Sequence, residues 1–198
     1  MSQKDNSPLL LETIKIVEGK IANLLYHQDR CDQSRQTLFQ STDILDLASV
    51  IEPPQTGLYR CRILYAEKVH SIEYIPYKPK EINSLKIVPS SIDYDLKYAN
   101  RAAFNALLES NKEVDEVIIE KNGCLTDITV ANIAFYDGEQ WYTPVNPLLK
   151  GTMRAKLIDE AFLQKREIRK EDLDNYTQVA LINAMIGFKI LNHFNIHY

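Results

Sequence analysis

Apolar and polar residues alternate along several stretches of the first half of the chain, as they do in half-buried strands. In the segment LYRCRILY at residues 58–65, the odd-numbered positions are aromatic, aliphatic or cysteine, and two arginines fall between them. Residues 9–17 and 21–25 are also rich in apolar side chains and flank a Glu-Gly-Lys turn, which predicts a hairpin. Helices are predicted over about residues 27–39 and 44–50, and further strands over residues 69–75 and 85–88.

The pattern changes in the second half. A helix is predicted over about residues 98–110, and Asn122-Gly123 between two apolar runs predicts a hairpin of strands at residues 114–120 and 125–136. A loop through Pro144 and Pro147 then leads to a helix that begins near Gly151. The remainder predicts a strand, a short acidic helix at residues 170–175 and an apolar strand at residues 179–185. The predicted fold class is therefore α/β, in the broad sense that includes α+β.

A proline-rich segment, YIPYKPKEIN at residues 74–83, separates these two halves. Its composition is typical of a connector between folded regions. We therefore predict a smaller N-terminal α/β domain at residues 1–86 and a larger C-terminal α/β domain at residues 87–198.

The composition narrows the class of protein. Hydrophobic residues make up 45% of the 198 residues and charged residues 25%, which is ordinary for a globular protein. The net charge is −4 and no basic cluster stands out, so no nucleic-acid partner is expected. The N-terminus lacks the layout of a signal peptide, and the longest apolar stretch is too short to span a bilayer. The protein is therefore expected to be soluble and cytoplasmic. The three cysteines show no CxxC spacing, so neither a disulfide framework nor a zinc site is expected.

Spacing alone gives only weak indications of chemistry. Asp93, Asp95 and Lys97 lie close together before a predicted helix, where charged residues are usually solvated capping residues. His27 and Arg30 are one helical turn apart and share a face, which by default is a surface pair. On these patterns alone, Lys97 would be interpreted as an ordinary surface lysine.

Four segments, in order along the chain, change that interpretation. They are LLETIKIVEGKIANLLYHQDR, DLKYANR, NGCLTDITVANIAFYDGEQWYTP and LLKGTMR. These resemble the FETLRV opening with its H-x-x-R, the K-x-x-N-R segment, the T-E-x-x-x-x-N segment ending in TP, and the L-x-G-x-[TM]-R segment of the class IV aminotransferases. The resemblance covers roughly residues 9–188 and implies a two-domain, D-amino acid aminotransferase-like fold of fold type IV, with pyridoxal 5'-phosphate (PLP) held between the domains.

The resemblance implies roles for three charged side chains. Lys97 matches the lysine that carries the PLP cofactor and moves protons as general acid and base. Asp127 matches the residue that faces the pyridine nitrogen, a position at which the family usually has Glu. Arg30 matches the arginine that binds the cofactor phosphate with its planar, permanently charged donor fork.

Backbone amides complete the implied phosphate site. They belong to Val130 and Ala131, where relatives often carry hydroxyl side chains, and to Thr152 and Met153 at the start of a helix, which favours anions. Four other matched positions are interpreted as scaffolding: Tyr98, Gly123, Asn132 and Arg154.

The resemblance also favours one activity. Met153 in Gly-Thr-Met-Arg and the segment Asn183-Ala184-Met185 resemble the aminodeoxychorismate lyases, which form 4-aminobenzoate and pyruvate for folate synthesis. The alternatives are an aminotransferase acting on a D-amino or branched-chain amino acid, and a PLP-fold protein that binds without turnover. The family forms homodimers, which is the oligomeric state expected here. The family's first strand with its DRG and GDG motifs, and its final helix region, have no counterpart in the sequence, so the resemblance defines cofactor binding better than substrate.

Overall fold

The computed structural model describes residues 8–192 and 195–197. In this structure the chain divides into two compact units. The first unit runs to Tyr77 and also includes Leu96–Asn100, and the second comprises Lys78–Asp95 and the chain from Arg101 onward. The domain limits inferred from the sequence, 1–86 and 87–198, stay a prediction.

The first unit is built on a four-stranded antiparallel sheet. Its strands are β1 (Leu10–Val17), β2 (Lys20–Ile21), β3 (Leu58–Tyr65) and β4 (Val69–Pro76). Their order across the sheet is β2-β1-β3-β4. The helices α1 (Leu24–Phe39) and α2 (Leu47–Val50) also belong to this unit.

The predicted elements of this unit are confirmed with shifted ends. The opening hairpin is present, but its second strand has only two residues. Asn23 adopts a left-handed backbone conformation with φ of 56°, and α1 begins directly after it at Leu24, earlier than the predicted start near His27. The second helix is shorter than predicted and begins after Asp46, whose side chain accepts a hydrogen bond from the second helical amide.

The alternating pattern of β1 and β3 explains the core of the first unit. One face of each strand is fully buried, and Cys31 of α1 packs against the same cluster. The buried strand residues of this cluster are Leu10, Ile14, Ile16, Cys61, Ile63 and Tyr65. Glu12 is also fully buried in β1, two positions from Leu10 and two from Ile14. A carboxylate among these apolar residues needs polar partners, since burying an unpaired charge costs on the order of several kcal/mol.

The second unit is built on a larger mixed sheet. Its strands are β5 (Ser84–Pro89), β6 (Glu116–Lys121), β7 (Cys124–Ile128), β8 (Asn132–Tyr136), β9 (Trp141–Pro144), β10 (Leu163–Arg166), β11 (Gln178–Asn183), β12 (Gly187–Ile190) and β13 (Asn195–His197). The main order is β10-β9-β8-β7-β6-β5-β13, and β11 pairs with both β8 and β12. The helices α3 (Ala102–Glu109) and α4 (Thr152–Asp159) and a 3₁₀ helix (Lys170–Asn175) lie along the same unit.

The Asn122-Gly123 hairpin is confirmed, and both residues have the positive φ that a type I′ turn requires, 53° and 79°. The single strand predicted after it is wrong, because residues 129–131 separate β7 from β8. Two of the carbonyls in this break accept hydrogen bonds from side chains. Arg101 Nη2 donates to the Thr129 carbonyl, and Asn183 Nδ2 donates to the Val130 carbonyl.

The helix predicted from residue 98 is also wrong at its start. Tyr98 forms a β-bridge with Leu10, and α3 begins only at Ala102. The backbone of this segment therefore bonds to a strand of the first unit instead of closing helical turns.

The α/β fold class is confirmed by this arrangement of strands and helices. Two clusters of buried side chains, one centred on Phe135 and Ile118 and one on Trp141 and Leu157, form the core of the second unit. None of the helices in residues 8–192 and 195–197 is long and apolar enough to cross a membrane.

Candidate functional site

Lys97 lies beside β1 of the first unit. The Leu11 amide donates a hydrogen bond of 2.8 Å to the Lys97 carbonyl, and the Ala99 amide donates one of 2.8 Å to the Leu9 carbonyl. These two bonds and the bridge between Leu10 and Tyr98 hold the lysine on an extended segment rather than on a helix. The backbone of Lys97 is therefore fixed next to the strand that carries Glu12.

Glu12 is held by two side chains of α1. Arg30 Nε donates to Glu12 Oε1 at 2.8 Å, and Arg30 Nη2 donates to Oε2 at 2.6 Å. His27 Nδ1 lies 2.5 Å from Oε2. Both Glu12 and His27 are fully buried, and the Arg30 side chain is only 13% exposed. The surface pair predicted for His27 and Arg30 is therefore wrong, because β1 supplies a buried acid that both residues contact.

The electrostatics of this cluster favour an ionised Glu12. Burial by itself would raise the pKa of Glu12, but the Arg30 charge and the His27 hydrogen bond outweigh it and lower the pKa to about 2. Burial lowers the pKa of His27, and the charges of Arg30 and Lys97 lower it further against the opposing effect of Glu12. An ionised carboxylate can only accept, so His27 Nδ1 donates the hydrogen bond to Glu12 Oε2.

Cys31 and Tyr65 border the same cluster and are fully buried. Burial raises the pKa of the Cys31 thiol to about 12, and the neighbouring Glu12 charge adds to the effect. Burial also raises the pKa of Tyr65. Both groups therefore stay protonated at neutral pH.

Asp127 is a buried acid of the second unit and lies near the end of β7. Its Oδ1 accepts a hydrogen bond from Asn132 Nδ2 at 2.7 Å, and its Oδ2 accepts one from the Leu149 amide at 2.9 Å. Burial raises the pKa of this carboxyl to about 6, although the Asn132 bond and the Leu149 amide lower it. Asp127 is thus mostly ionised at neutral pH and close to its titration range.

Asn132 connects Asp127 to the start of α4. Its second amide hydrogen bonds to the Leu149 carbonyl at 2.8 Å. A Cβ placed on Gly151 would lie 2.0 Å from Asn132 Oδ1, so no larger residue fits there without displacement. Gly151 is the N-cap of α4 and, as a glycine, has no side chain that could accept hydrogen bonds from the first helical amides. The amides of Thr152 and Met153 therefore open the helix directly beside the asparagine.

The break between β7 and β8 carries the remaining predicted residues. Val130 is nearly half exposed, whereas Ala131 is buried. Within the described part of the chain, the Ala131 carbonyl accepts from the Ile128 amide, but neither the Val130 nor the Ala131 amide donates to a backbone carbonyl of this break. The resemblance assigns these two amides to the cofactor phosphate.

Arg154 follows on α4 and is buried in the second unit. Its Nη2 donates to the Pro144 carbonyl at 2.7 Å and its Nε donates to Thr143 Oγ1 at 3.2 Å. The side chain thereby ties α4 to β9, which agrees with the scaffolding role inferred from the sequence.

The structure therefore gathers the predicted residues into two sets. Lys97 and Arg30 belong to the first unit, and Asp127, Val130, Ala131, Thr152 and Met153 to the second. Sequence reasoning missed Glu12, although the pattern contained a signal for it. Alternation in β1 puts this acid in phase with Leu10, Ile14 and Ile16, which makes it a charged residue on an apolar face.

Comparison with known proteins gives a family match over nearly the whole chain. The family model described as amino-transferase class IV matches residues 9–190. A proposed aminodeoxychorismate lyase from Schizosaccharomyces pombe is 30% identical over 129 residues, which cover 59% of this chain and 54% of that protein.

Solved structures agree with the family match. A proposed 4-amino-4-deoxychorismate lyase from Haemophilus somnus is 38% identical, with a TM-score of 0.83 over 91% of this chain and 97% of that one. The PLP-bound form of a hypothetical aminotransferase from Mycobacterium tuberculosis has a TM-score of 0.76 and 16% identity, over 97% of this chain and 83% of that one. At that identity the second likeness supports the fold alone.

Proposed function

We propose that this chain, which belongs to the class IV aminotransferase family, is a 4-amino-4-deoxychorismate lyase. Membership of the family makes the protein an enzyme of the fold-type IV class with pyridoxal phosphate as its cofactor. The proposed reaction converts 4-amino-4-deoxychorismate to 4-aminobenzoate and pyruvate, which would place the enzyme in folate synthesis in the cytoplasm.

The observation that carries the lyase proposal is the likeness to the Haemophilus somnus protein, at 38% identity over nearly the full length of both chains. Two segments of the second unit support it. Met153 takes the second position of α4, and Asn183 of the Asn-Ala-Met segment donates to the Val130 carbonyl. Both residues thus adjoin the amides assigned to the cofactor phosphate.

The residues on both units suit the chemical groups of pyridoxal phosphate. The dianionic phosphate needs cationic and amide donors, which Arg30, the Val130 and Ala131 amides and the N-terminus of α4 supply. The pyridine nitrogen needs an acidic partner, and Asp127 is a buried carboxylate whose two oxygens are already oriented by hydrogen bonds. Glu12 accepts two hydrogen bonds from one edge of the Arg30 guanidinium, formed by Nε and Nη2, and would fix its orientation.

Pyridoxal phosphate supplies, when bound, an electron-withdrawing ring that stabilises negative charge on the substrate α-carbon. The protein's own residues then have three tasks. Asp127 keeps a proton on the ring nitrogen by presenting a negative charge to it. Arg30 and the amides hold the phosphate in place. Lys97 Nζ binds the cofactor, accepts the α-proton of the substrate and later returns a proton.

The lyase is tested by supplying 4-amino-4-deoxychorismate and pyridoxal phosphate to the purified protein. We expect equal amounts of 4-aminobenzoate, followed by its fluorescence after chromatography, and of pyruvate, followed with lactate dehydrogenase. Lys97→Ala should lower the rate by about 10³-fold or more, as loss of a general acid-base usually does. Lys15→Ala is the matched control, because Lys15 is a half-buried lysine of the same unit that lies outside the proposed site.

An aminotransferase for a D-amino or branched-chain amino acid is the second candidate, favoured by the family that the chain matches. It differs from the lyase in needing a 2-oxo acid as amino acceptor. Labelled amino acids with pyruvate or 2-oxoglutarate would therefore separate the two activities. Transfer of the amino group without release of 4-aminobenzoate would contradict the lyase proposal.

The assignment of Lys97 as the lysine that binds the cofactor is tested by absorption spectroscopy, which does not require the substrate. Wild-type protein with added pyridoxal phosphate should show a visible band that borohydride removes, and Lys97→Ala should lack it. The same reduction should attach the cofactor to the peptide that contains Lys97. Absence of the band in folded wild-type protein would overturn the assignment of Lys97.

We also propose that the protein forms a homodimer, as the resemblance implies. Light scattering on the purified protein measures the mass directly. A mass near twice 22.8 kDa is expected, and a mass of one chain would contradict the proposal.

A further inference from the structure

We infer that Asn132 is a positioning residue that holds Asp127 and the start of α4 in one fixed arrangement. The inference rests on the proposed function, because Asp127 and the amides of α4 are the groups assigned there to the pyridine nitrogen and to the phosphate. The sequence by itself indicates only a scaffolding role for Asn132. The geometry assigns it control over the orientation and ionisation of a cofactor-binding carboxylate.

Both amide hydrogens of Asn132 are used within the second unit. One is donated to Asp127 Oδ1 at 2.7 Å and the other to the Leu149 carbonyl at 2.8 Å. The Leu149 amide donates in turn to Asp127 Oδ2 at 2.9 Å. The three residues form a closed ring of hydrogen bonds, in which each carboxylate oxygen of Asp127 has its own donor. This ring fixes the plane of the carboxylate.

The oxygen of the same side chain lies against the turn before α4. Asn132 Oδ1 lies so near Gly151 that a Cβ there would be only 2.0 Å away. The φ of Gly151 is −67°, a value open to any residue, so the close approach of Asn132 and not the backbone conformation excludes a side chain. One residue therefore contacts both Asp127, assigned to the pyridine nitrogen, and Gly151, which directly precedes the two amides of α4 assigned to the phosphate.

Asn132 also affects the charge of Asp127. Burial is the largest influence on the pKa of this carboxyl and raises it, and the Asn132 hydrogen bond is the first of the contacts that oppose it. An amide donates without carrying a charge, so it favours the ionised carboxylate but cannot take its proton. Loss of this donor should leave Asp127 protonated to a higher pH, and a protonated Asp127 has no negative charge to offer a ring nitrogen.

The test compares three variants in the intact protein. Asn132→Ala removes the donors and the oxygen, and Asn132→Asp keeps the size but replaces the donor with a second carboxyl group. Asn111→Ala is the matched control, because Asn111 is also a buried asparagine of the second unit and donates through Nδ2 to the Leu107 carbonyl. Dissociation constants for pyridoxal phosphate are measured between pH 5 and 8.5 by absorbance.

The second measurement needs no cofactor. The pKa of Asp127 is read from the ¹³C carboxyl signal of apo-protein labelled at aspartate, with Asp127→Asn to assign the signal. We expect Asn132→Ala to raise this pKa by about one unit and to weaken cofactor binding at pH 7 by roughly 10-fold. The pH at which binding is half lost should move upward with the pKa, and further in Asn132→Asp. Asn111→Ala should change neither value.

The outcomes separate this inference from the proposed function. If Asn132→Ala lowers the melting temperature but leaves the Asp127 pKa and the pH profile of binding unchanged, Asn132 is scaffolding and the inference is overturned. If wild-type protein binds no pyridoxal phosphate, the proposed function fails. The carboxyl titration of the apo-protein still decides whether Asn132 controls Asp127.

Discussion

Replacing Glu12 by glutamine tests whether the buried cluster of the first unit depends on a negative charge. The substitution keeps the size of the side chain but removes the charge that pairs with Arg30 and His27. The pKa of Glu12 lies at about 2 instead of 4.5. Each pH unit of difference corresponds to about 1.4 kcal/mol, so the native contacts favour the charged form by about 3 kcal/mol. Removing one partner of a buried ion pair typically costs about 3–5 kcal/mol, which agrees.

The pH dependence provides a second signature of the same charge. Because the pKa of Glu12 is lowered in the folded protein, its stabilisation is fully present above about pH 4.5 and is lost as the pH falls toward 2. The difference in unfolding free energy between wild type and Glu12→Gln should therefore be about 3 kcal/mol at pH 7. It should shrink steadily below pH 4.5. Urea unfolding at a series of pH values measures both quantities.

Glu73→Gln is the control for this experiment. Glu73 pairs with Arg62 at 2.9 Å, but its side chain is 52% exposed. Exposed pairs contribute only about 0–1 kcal/mol, so this variant should be close to wild type at every pH. Equal losses of stability in the two variants at pH 7, or a loss for Glu12→Gln that does not change with pH, would refute the reasoning.

Three further predictions concern the second unit. Burial raises the pKa of Asp127 to about 6, so the unfolding free energy of the apo-protein should fall as the pH rises from about 4 to about 6, and Asp127→Asn should remove this decline in urea titrations. Gly151→Ala should weaken pyridoxal phosphate binding in absorbance titrations because of the contact with Asn132, whereas Gly138→Ala, at an open position with φ of 104°, should cost about 1 kcal/mol of stability and leave binding unchanged. Arg154→Lys should lower the unfolding free energy by about 2 kcal/mol, since a buried ammonium cannot reproduce the two guanidinium bonds, and the same change at an exposed arginine should have no measurable effect.

The sequence predicted most elements of the fold because their signals are local. Alternation identified β3, an apolar run beside a Glu-Gly-Lys turn identified β1, and the Asn122-Gly123 turn identified the later hairpin. The errors occur where partners distant in sequence decide the backbone. Tyr98 belongs to a predicted helix by composition, but Leu10 pairs with it. The predicted strand is interrupted at residues 129–131, where the side chains of Arg101 and Asn183 donate hydrogen bonds to its carbonyls.

The candidate site shows the same division. Sequence motifs alone identified the family to which the chain belongs, and they are the basis for proposing Lys97, Arg30 and Asp127 as site residues. They do not identify the partners of these residues, because those partners are distant along the chain. Glu12 lies 18 positions from Arg30, and Leu149 lies 22 positions from Asp127.

The sequence by itself identified the family and most of the elements, and it supplied the proposed site residues. These depend on residue type and short spacing, which a linear chain displays directly. The tertiary structure alone decided the partners and the ionisation of the charged groups: Glu12 pairs with Arg30 and has a lowered pKa, burial lowers the pKa of His27, and Asn132 donates a hydrogen bond to Asp127. Ionisation depends on burial and on the distance to other charges, and only the folded chain establishes both.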